Sequence, residues 1–274
     1  MGVYLRPRRL EEALSALARP HVVLAGGTDF YPARVGRAVE EDVLDIGGID
    51  VLRGITGGPA GWRLGATTTW SELLEADLPP LFDGLKQAAR EVGGRQIQNA
   101  GTLAGNICNA SPAADGVPGL LALDADVEIA GPANRRLPLR QFITGVRRTA
   151  LAPGELVAAI HVPRPRHDAE SAFLKLGARR YLVISIAMAA ATLEFAEGRV
   201  AAARVAVGAC SPVAERLPAL EAALVGAARD RLADCVDVQQ LAPLSPIDDV
   251  RGSADYRRDA VVTLLRRLLA SFVR

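Results

Sequence analysis

The 274-residue chain has only three cysteines, Cys108, Cys210 and Cys235, widely spaced and with no Cys-x-x-Cys pair. A self-contained zinc or iron–sulfur site needs clustered ligands, so neither is expected. An odd, scattered set is no disulfide framework either, which fits a reducing compartment. Lysine is nearly missing: Lys86 and Lys175 stand alone among 32 basic residues, and a GC-rich coding sequence is enough to explain it. No charge sign dominates, since 32 basic residues face 31 acidic ones for a net charge of +1. A nucleic-acid-binding surface spread over the whole protein would need a basic excess. The three histidines, His21, His161 and His167, share no ligand spacing and read as surface or edge residues. The longest strongly apolar run, near Val183–Leu193, is too short to span a bilayer. The opening MGVYLRPRRLEEALSAL lacks the apolar core and cleavage site of a secretory signal, so a cytoplasmic location is expected. Two common nucleotide fingerprints are missing as well. No GxGxxG follows a strand, and no GxxxxGK[ST] occurs.

What is present is an ordinary globular composition, 50% apolar and 23% charged, in a chain long enough for one large or two modest domains. Leu10, Ala13, Leu14 and Leu17 share a helical face. HVVLAGG then reads as a buried strand, and EDVLDI (41–46) as a second strand, joined to it by a connection longer than a hairpin turn, as parallel pairing needs. After the turn-rich GGPAG (57–61), WRLGATTT reads as a strand, with Thr69 or Ser71 capping the next helix. LFDGLKQAAREVG is a helix stopped by Gly93 and Gly94. Residues 95–116 show no clear period, and such a stretch in a compact domain is usually either functional or wrongly assigned. VPGLLALDA is a short helix and DVEIAG a strand. RPRHDAE (164–170) marks a boundary. Beyond it come three strands, SAFLKLG, VISIAMAAATLEF and RVAAARVAVGA, the last two joined by a hairpin at Glu197-Gly198. Helical patterns follow at LPALEAALVGA, RDRLADCVDV and YRRDAVVTLLRRLLASF, the last read as a docked amphipathic helix.

Two segments stand out chemically. Leu24-Ala25-Gly26-Gly27-Thr28-Asp29 closes the first buried strand. Adjacent glycines allow successive N–H groups to face one concavity, which suits a phosphate. Thr28 adds a hydroxyl, and Asp29 an acceptor for ribose or backbone. The plainer reading is a tight turn without a ligand. Gly101-Thr102-Leu103-Ala104-Gly105-Asn106, with Ser111 and Asp115 beyond it, repeats the pattern of small, hydroxyl and amide groups. Two such loops can clasp a pyrophosphate from both sides. Neither holds a basic residue, so the charge would fall to backbone dipoles, helix N-termini or an arginine from elsewhere.

In order, these segments resemble a known family. LAGGTDFYP (24–32) is similar to the first FAD-binding motif of the flavoprotein subunits of molybdenum-containing hydroxylases. NAGTLAGNICNASPAADGVPGLLALDADVEI (99–129) is similar to the second, which is the more specific. GELVAAIHVP (154–163) and AFLKLGARRYLVISIAMA (172–189) resemble the family's following strand and the start of its C-terminal domain, so the likeness spans nearly the whole chain.

The resemblance implies an α+β architecture: a two-subdomain, PCMH-type FAD-binding domain followed by a C-terminal domain with a small antiparallel sheet and helices. It places the FAD-binding domain at 1–167, with subdomains of about 1–55 and 56–167, and the C-terminal domain at 168–274. It implies FAD bound by this chain, with molybdopterin in a large partner subunit and two [2Fe–2S] clusters in a small one. The assembly would be a dimer of heterotrimers, without nucleic acid or a membrane span. Electrons would pass from molybdenum through the clusters to FAD and on to an external acceptor. The substrates of such complexes include purines, other N-heterocycles and carbon monoxide. Leu24, Ala25, Gly26, Gly27, Thr28 and Asp29 match the first motif, and Thr102, Leu103, Ala104, Gly105 and Asn106 the second. Asp115 falls on the family's downstream aspartate. Val92 and Val157 are placed near the cofactor's apolar walls, and Lys175 and Tyr181 in the segment that approaches the flavin.

One departure is Ala104, where the family often has glycine; it would be strained if the position needs a positive φ. Cys108 reads as a small buried thiol, and Trp62 and Trp70 as core anchors. Two other functions fit the same motifs. One is a self-sufficient FAD-dependent oxidoreductase of the vanillyl-alcohol oxidase-like superfamily, which would need its own acid or base over the flavin. The other is a non-catalytic FAD-binding assembly subunit.

Overall fold

Val22–Leu24 and Val43–Asp45 are short β-branched and leucine-rich runs, and they pair in parallel, which the long connection between them allows. A computed structural model describes residues 2–179 and 182–273 of the chain. Val43–Asp45 is the central strand of a three-stranded sheet whose other edge, Tyr4–Leu5, is also parallel. Helix Leu10–Ala16 covers this sheet through Ala13 and Leu17, which pack with Leu44, Ile46, Ile49 and Leu52.

The second layer is a five-stranded antiparallel sheet. Its order is Ile55–Gly58, Gly61–Gly65, Leu156–Pro163, Asp126–Ala130 and Arg135–Pro138. Leu156–Pro163 sits at its centre, and after Gly65 the chain leaves this sheet for 60 residues of helices and loops before returning at Asp126. Those helices are Trp70–Glu75, Asp83–Glu91, Arg95–Ala100, Leu103–Asn109 and Gly116–Ala122. Thr69 caps the first of them by accepting from Glu72 N–H at 3.2 Å, while the Glu72 carboxylate accepts from Thr69 N–H at 2.8 Å. Asp83–Glu91 ends at Gly93, whose φ of +53° is the left-handed stop. The stretch 95–116, aperiodic in sequence, contains two of these short helices.

The last part is a four-stranded antiparallel sheet of Asp168–Leu176, Ala187–Ala196, Arg199–Gly208 and Glu215–Arg216. Glu197 and Gly198 both have positive φ, the type of turn that a two-residue hairpin favours. The middle strand starts at Ala187, so the expected strand residues Val183–Ile186 lead into it as irregular chain. Its two faces alternate. Ala187, Ala189, Ala191 and Leu193 meet helix Ala254–Ala270 through Val261, Leu265 and Leu268. Met188 and Ala190 turn the other way, onto Ala88 and Ala122 of the preceding part. Of the remaining helical patterns, Pro218–Leu224 forms an α-helix, whereas Arg229–Cys235 is a 3-10 helix. Among the described residues, no helix is long and apolar enough to cross a membrane.

Candidate functional site

The two glycine loops meet. A Cβ on Gly26 would lie 1.8 Å from the Ala100 carbonyl oxygen, and one on Gly101 would lie 3.3 Å from Thr28 Oγ1. The first loop therefore runs directly against the backbone that opens the second. Gly27, at φ +71°, turns the chain out of strand Val22–Leu24. The second loop is held from below. Trp70, only 1% exposed, donates its backbone N–H to Gly101 O at 3.2 Å, and Leu103 backbone N–H donates to Thr68 O at 3.0 Å. Thr102 caps helix Leu103–Asn109 by accepting from Gly105 N–H at 3.0 Å.

Between the loops lies a cavity of about 600 Å³. It opens where the parallel sheet faces the five-stranded sheet. Its walls include Leu24, Ala25, Gly26, Gly27, Thr28 and Asp29 on one side, and Thr102, Ala104, Gly105 and Asn106 on the other. Val92 and Val157 line it too, with Ala66, Ile97 and Leu156 completing an apolar wall.

Three expected residues stand elsewhere. Leu103 shares the loop but turns its side chain fully into the core. Asp115 and Lys175 are not among the cavity's lining residues. They form an ion pair at 2.8 Å, nearly buried at 12% and 7% side-chain exposure, and Ser185 Oγ donates to the other Asp115 oxygen at 2.6 Å. Burial pushes the Asp115 carboxyl above the usual range, and Lys175 and Ser185 only partly offset this. Tyr181 lies outside the described residues.

The structure adds residues that the motifs did not single out. Asn109, one helical turn after Asn106, lines the cavity and donates from Nδ2 to Asp29 Oδ1 at 2.8 Å, which fixes that carboxylate. Arg147 in turn donates to Asn109. The helical period could have found Asn109. Arg34 supplies the arginine absent from both loops, although Glu41 holds its guanidinium at 2.7 Å. Glu155 lines the cavity while accepting from Arg135 at 2.8 Å, the main cause holding its pKa below the carboxylate norm. Cys108 also faces the cavity, and burial pushes its thiol up to about 12, so it is protonated and unreactive. Ala104 lies in the first turn of a helix and is not among the positive-φ residues, so alanine there is unstrained.

Residues 1–165 match the family model described as the FAD binding domain in molybdopterin dehydrogenase. The chain belongs to this family. Residues 172–272 match the CO dehydrogenase flavoprotein C-terminal domain. The chain is 30% identical to the putative xanthine dehydrogenase FAD-binding subunit XdhB of Escherichia coli K12, over 98% of its own length and 95% of the relative's. It is 32% identical to the carbon monoxide dehydrogenase medium chain of Afipia carboxidovorans, over 96% and 94%. A chain of the solved Cu,Mo-CO dehydrogenase superposes with a TM-score of 0.89 at 28% identity, covering 99% of this chain and 98% of that one. This member of the FAD-binding family is thus an oxidoreductase subunit with the family's fold.

The cavity's residues fit a flavin dinucleotide. Its volume of about 600 Å³ lies within the ordinary range for cofactor sites. Gly26 and Gly27 bring bare backbone to its wall, where a Cβ on either would strike Ala100 or Tyr31. Asn106 Oδ1 is fully buried with no hydrogen-bond partner among the described residues. That oxygen sits beside Gly116, on the side away from the cavity lining.

Proposed function

We propose that this chain is the medium subunit of a heterotrimeric molybdenum hydroxylase. Its partners would be a large molybdopterin-binding subunit and a small subunit with two [2Fe–2S] clusters, assembled as a dimer of heterotrimers. The observation that carries the reading is the meeting of two glycine loops, 74 residues apart from Gly27 to Gly101, across one cavity. When bound, FAD supplies redox chemistry between the partner's clusters and an external acceptor.

The chain's own residues bind and orient. Backbone of Ala25, Gly26 and Gly27 approaches the pyrophosphate, with Thr28 and Thr102–Asn106 opposite. Asp29, fixed by Asn109, accepts from sugar hydroxyls. Val92, Val157 and Leu24 exclude water from the apolar part of the cofactor. By the family resemblance Asp115, Lys175 and Tyr181 are assigned to the flavin's surroundings, and the Asp115–Lys175 pair ties two of those segments together. The division at residues 167 and 168 separates the part that holds the cofactor cradle from the C-terminal part. No acid, base or nucleophile is assigned to this chain, and the substrate is oxidised in the large subunit. Three unpaired cysteines favour a cytoplasmic setting.

Purification from the native source tests this reading. Two co-purifying chains, one large and one small, with flavin and iron–sulfur absorbance are expected. A lone flavin-bearing chain that turns over a small substrate would instead establish a self-sufficient oxidoreductase.

A further inference from the structure

A second cavity, of about 450 Å³, lies far along the chain from the glycine loops, where residues 163–167 cross from the five-stranded to the four-stranded sheet. Its inner wall is apolar: Leu81 and Leu123 on one side, Ala201 and Ala202 on the other. Thr192 lines it from the strand face that carries Met188 and Ala190. Its residue is 1% exposed, and its Oγ1 is buried with no hydrogen-bond partner among the described residues. Leaving a buried hydroxyl unpaired is costly, and such a group normally finds a partner.

The cavity's charged groups lean positive. Arg164, Arg166, His167 and Arg204 face one carboxylate, Glu194. That carboxylate is already satisfied. It accepts from Arg204 at 2.8 Å and from the Arg166 and His167 backbone N–H groups at 3.0 and 3.2 Å. Arg164 stacks over Trp62 and donates to Gly58 O at 2.9 Å. The side chains of Arg166 and His167 make no hydrogen bond or ion pair among the described residues, so their donors stand at the rim unspent. Hydroxyl at depth, apolar wall and guanidinium at the mouth form a graded surface.

From this arrangement we infer that the junction cavity binds a small organic anion, its apolar body against Leu81 and Leu123, a polar atom on Thr192 Oγ1 and its phosphate or carboxylate on Arg166. The cavity exceeds what an inorganic ion fills, so the body of the ligand contributes to binding.

The test uses the full FAD-loaded chain, with phenyl phosphate and inorganic phosphate as probes in calorimetric titrations. Phenyl phosphate is expected to bind at one site per chain, about fivefold or more tighter than inorganic phosphate. Thr192→Val and Arg166→Gln each weaken it about tenfold. Flavin content stays unchanged in both. Thr192→Val also melts no lower than the parent, because it removes an unpaired hydroxyl. Should that variant fail to fold, the exposed Arg166→Gln carries the test alone. No saturable binding below ~10 mM, equal affinity in parent and variants, or inorganic phosphate binding as tightly as phenyl phosphate overturns the inference.

Discussion

At Gly26 the requirement for a bare backbone is steric, since the Ala100 carbonyl oxygen occupies the place of a side chain. Gly26→Ala is therefore expected to push the two loops apart and weaken FAD binding about 10- to 100-fold, read by flavin fluorescence titration. The cysteines divide by thiol acidity. Cys108 and Cys210 are held up to about 12 and about 11, chiefly by desolvation, whereas Cys235, in a 3-10 helix, is raised less. Iodoacetamide at pH 8 should label Cys235 first in the native chain, with mass spectrometry showing Cys108 protected. Early labelling of Cys108 would contradict the raised pKa of its thiol. Leu103 shows what a motif leaves out. The motif marks a continuous run, but a helix turns successive side chains about 100° apart, so one of its residues faces the core while its neighbours line the cavity. Asp115 and Lys175 were legible as a family match, but their mutual pairing is a long-range contact that no local spacing encodes.

Among the elements, the long strands and helices could be read because their periods repeat. Asp168–Leu176, Arg199–Gly208 and Ala254–Ala270 form where the patterns place them. Arg95–Ala100 and Leu103–Asn109 span fewer than two turns each, too few for a 3.6-residue period to emerge. Tyr4–Leu5 is a two-residue exposed edge strand with no pattern at all. Residues 163–167 are tied down by Glu194. Burial raises that carboxyl's pKa, but Arg204 and the two backbone N–H groups outweigh it, and the net direction is downward from 4.5. A lowered folded pKa contributes stability that is present above 4.5 and lost as pH falls through the folded value. Thermal melts of the parent should therefore drop below that pH, and Glu194→Gln should flatten the drop while costing about 1–3 kcal/mol at neutral pH, because Arg204 keeps its second partner, Asp124. An unchanged acid profile would remove Glu194 from this role.

The whole molecule depends on how the four-stranded sheet docks on the helices before it. Phe173, Met188 and Ala190 pack on Ala88 and Ala122. Ser171 Oγ donates to Leu81 O at 2.6 Å and accepts from Gly84 N–H at 2.8 Å, while Phe173 N–H donates to Gln87 at 2.7 Å. The Asp115–Lys175 pair closes the same junction. Lys175→Met should leave Asp115 buried without its partner and cost about 3–5 kcal/mol by denaturant unfolding. Adding Asp115→Asn should recover much of that loss. Asp115's raised folded pKa works against the folded state as pH rises above 3.8, so the Lys175→Met chain should be relatively more stable in acid than its parent. A loss that the double variant does not relieve would mean that the pair is not what holds the junction.

The central claim is that the two glycine loops form one FAD site. Titrating FAD into the purified, folded chain and following the visible absorbance tests it most directly. One FAD per chain, weakened by Gly26→Ala, is predicted. A chain that is folded by circular dichroism yet retains no flavin after FAD is added would contradict it.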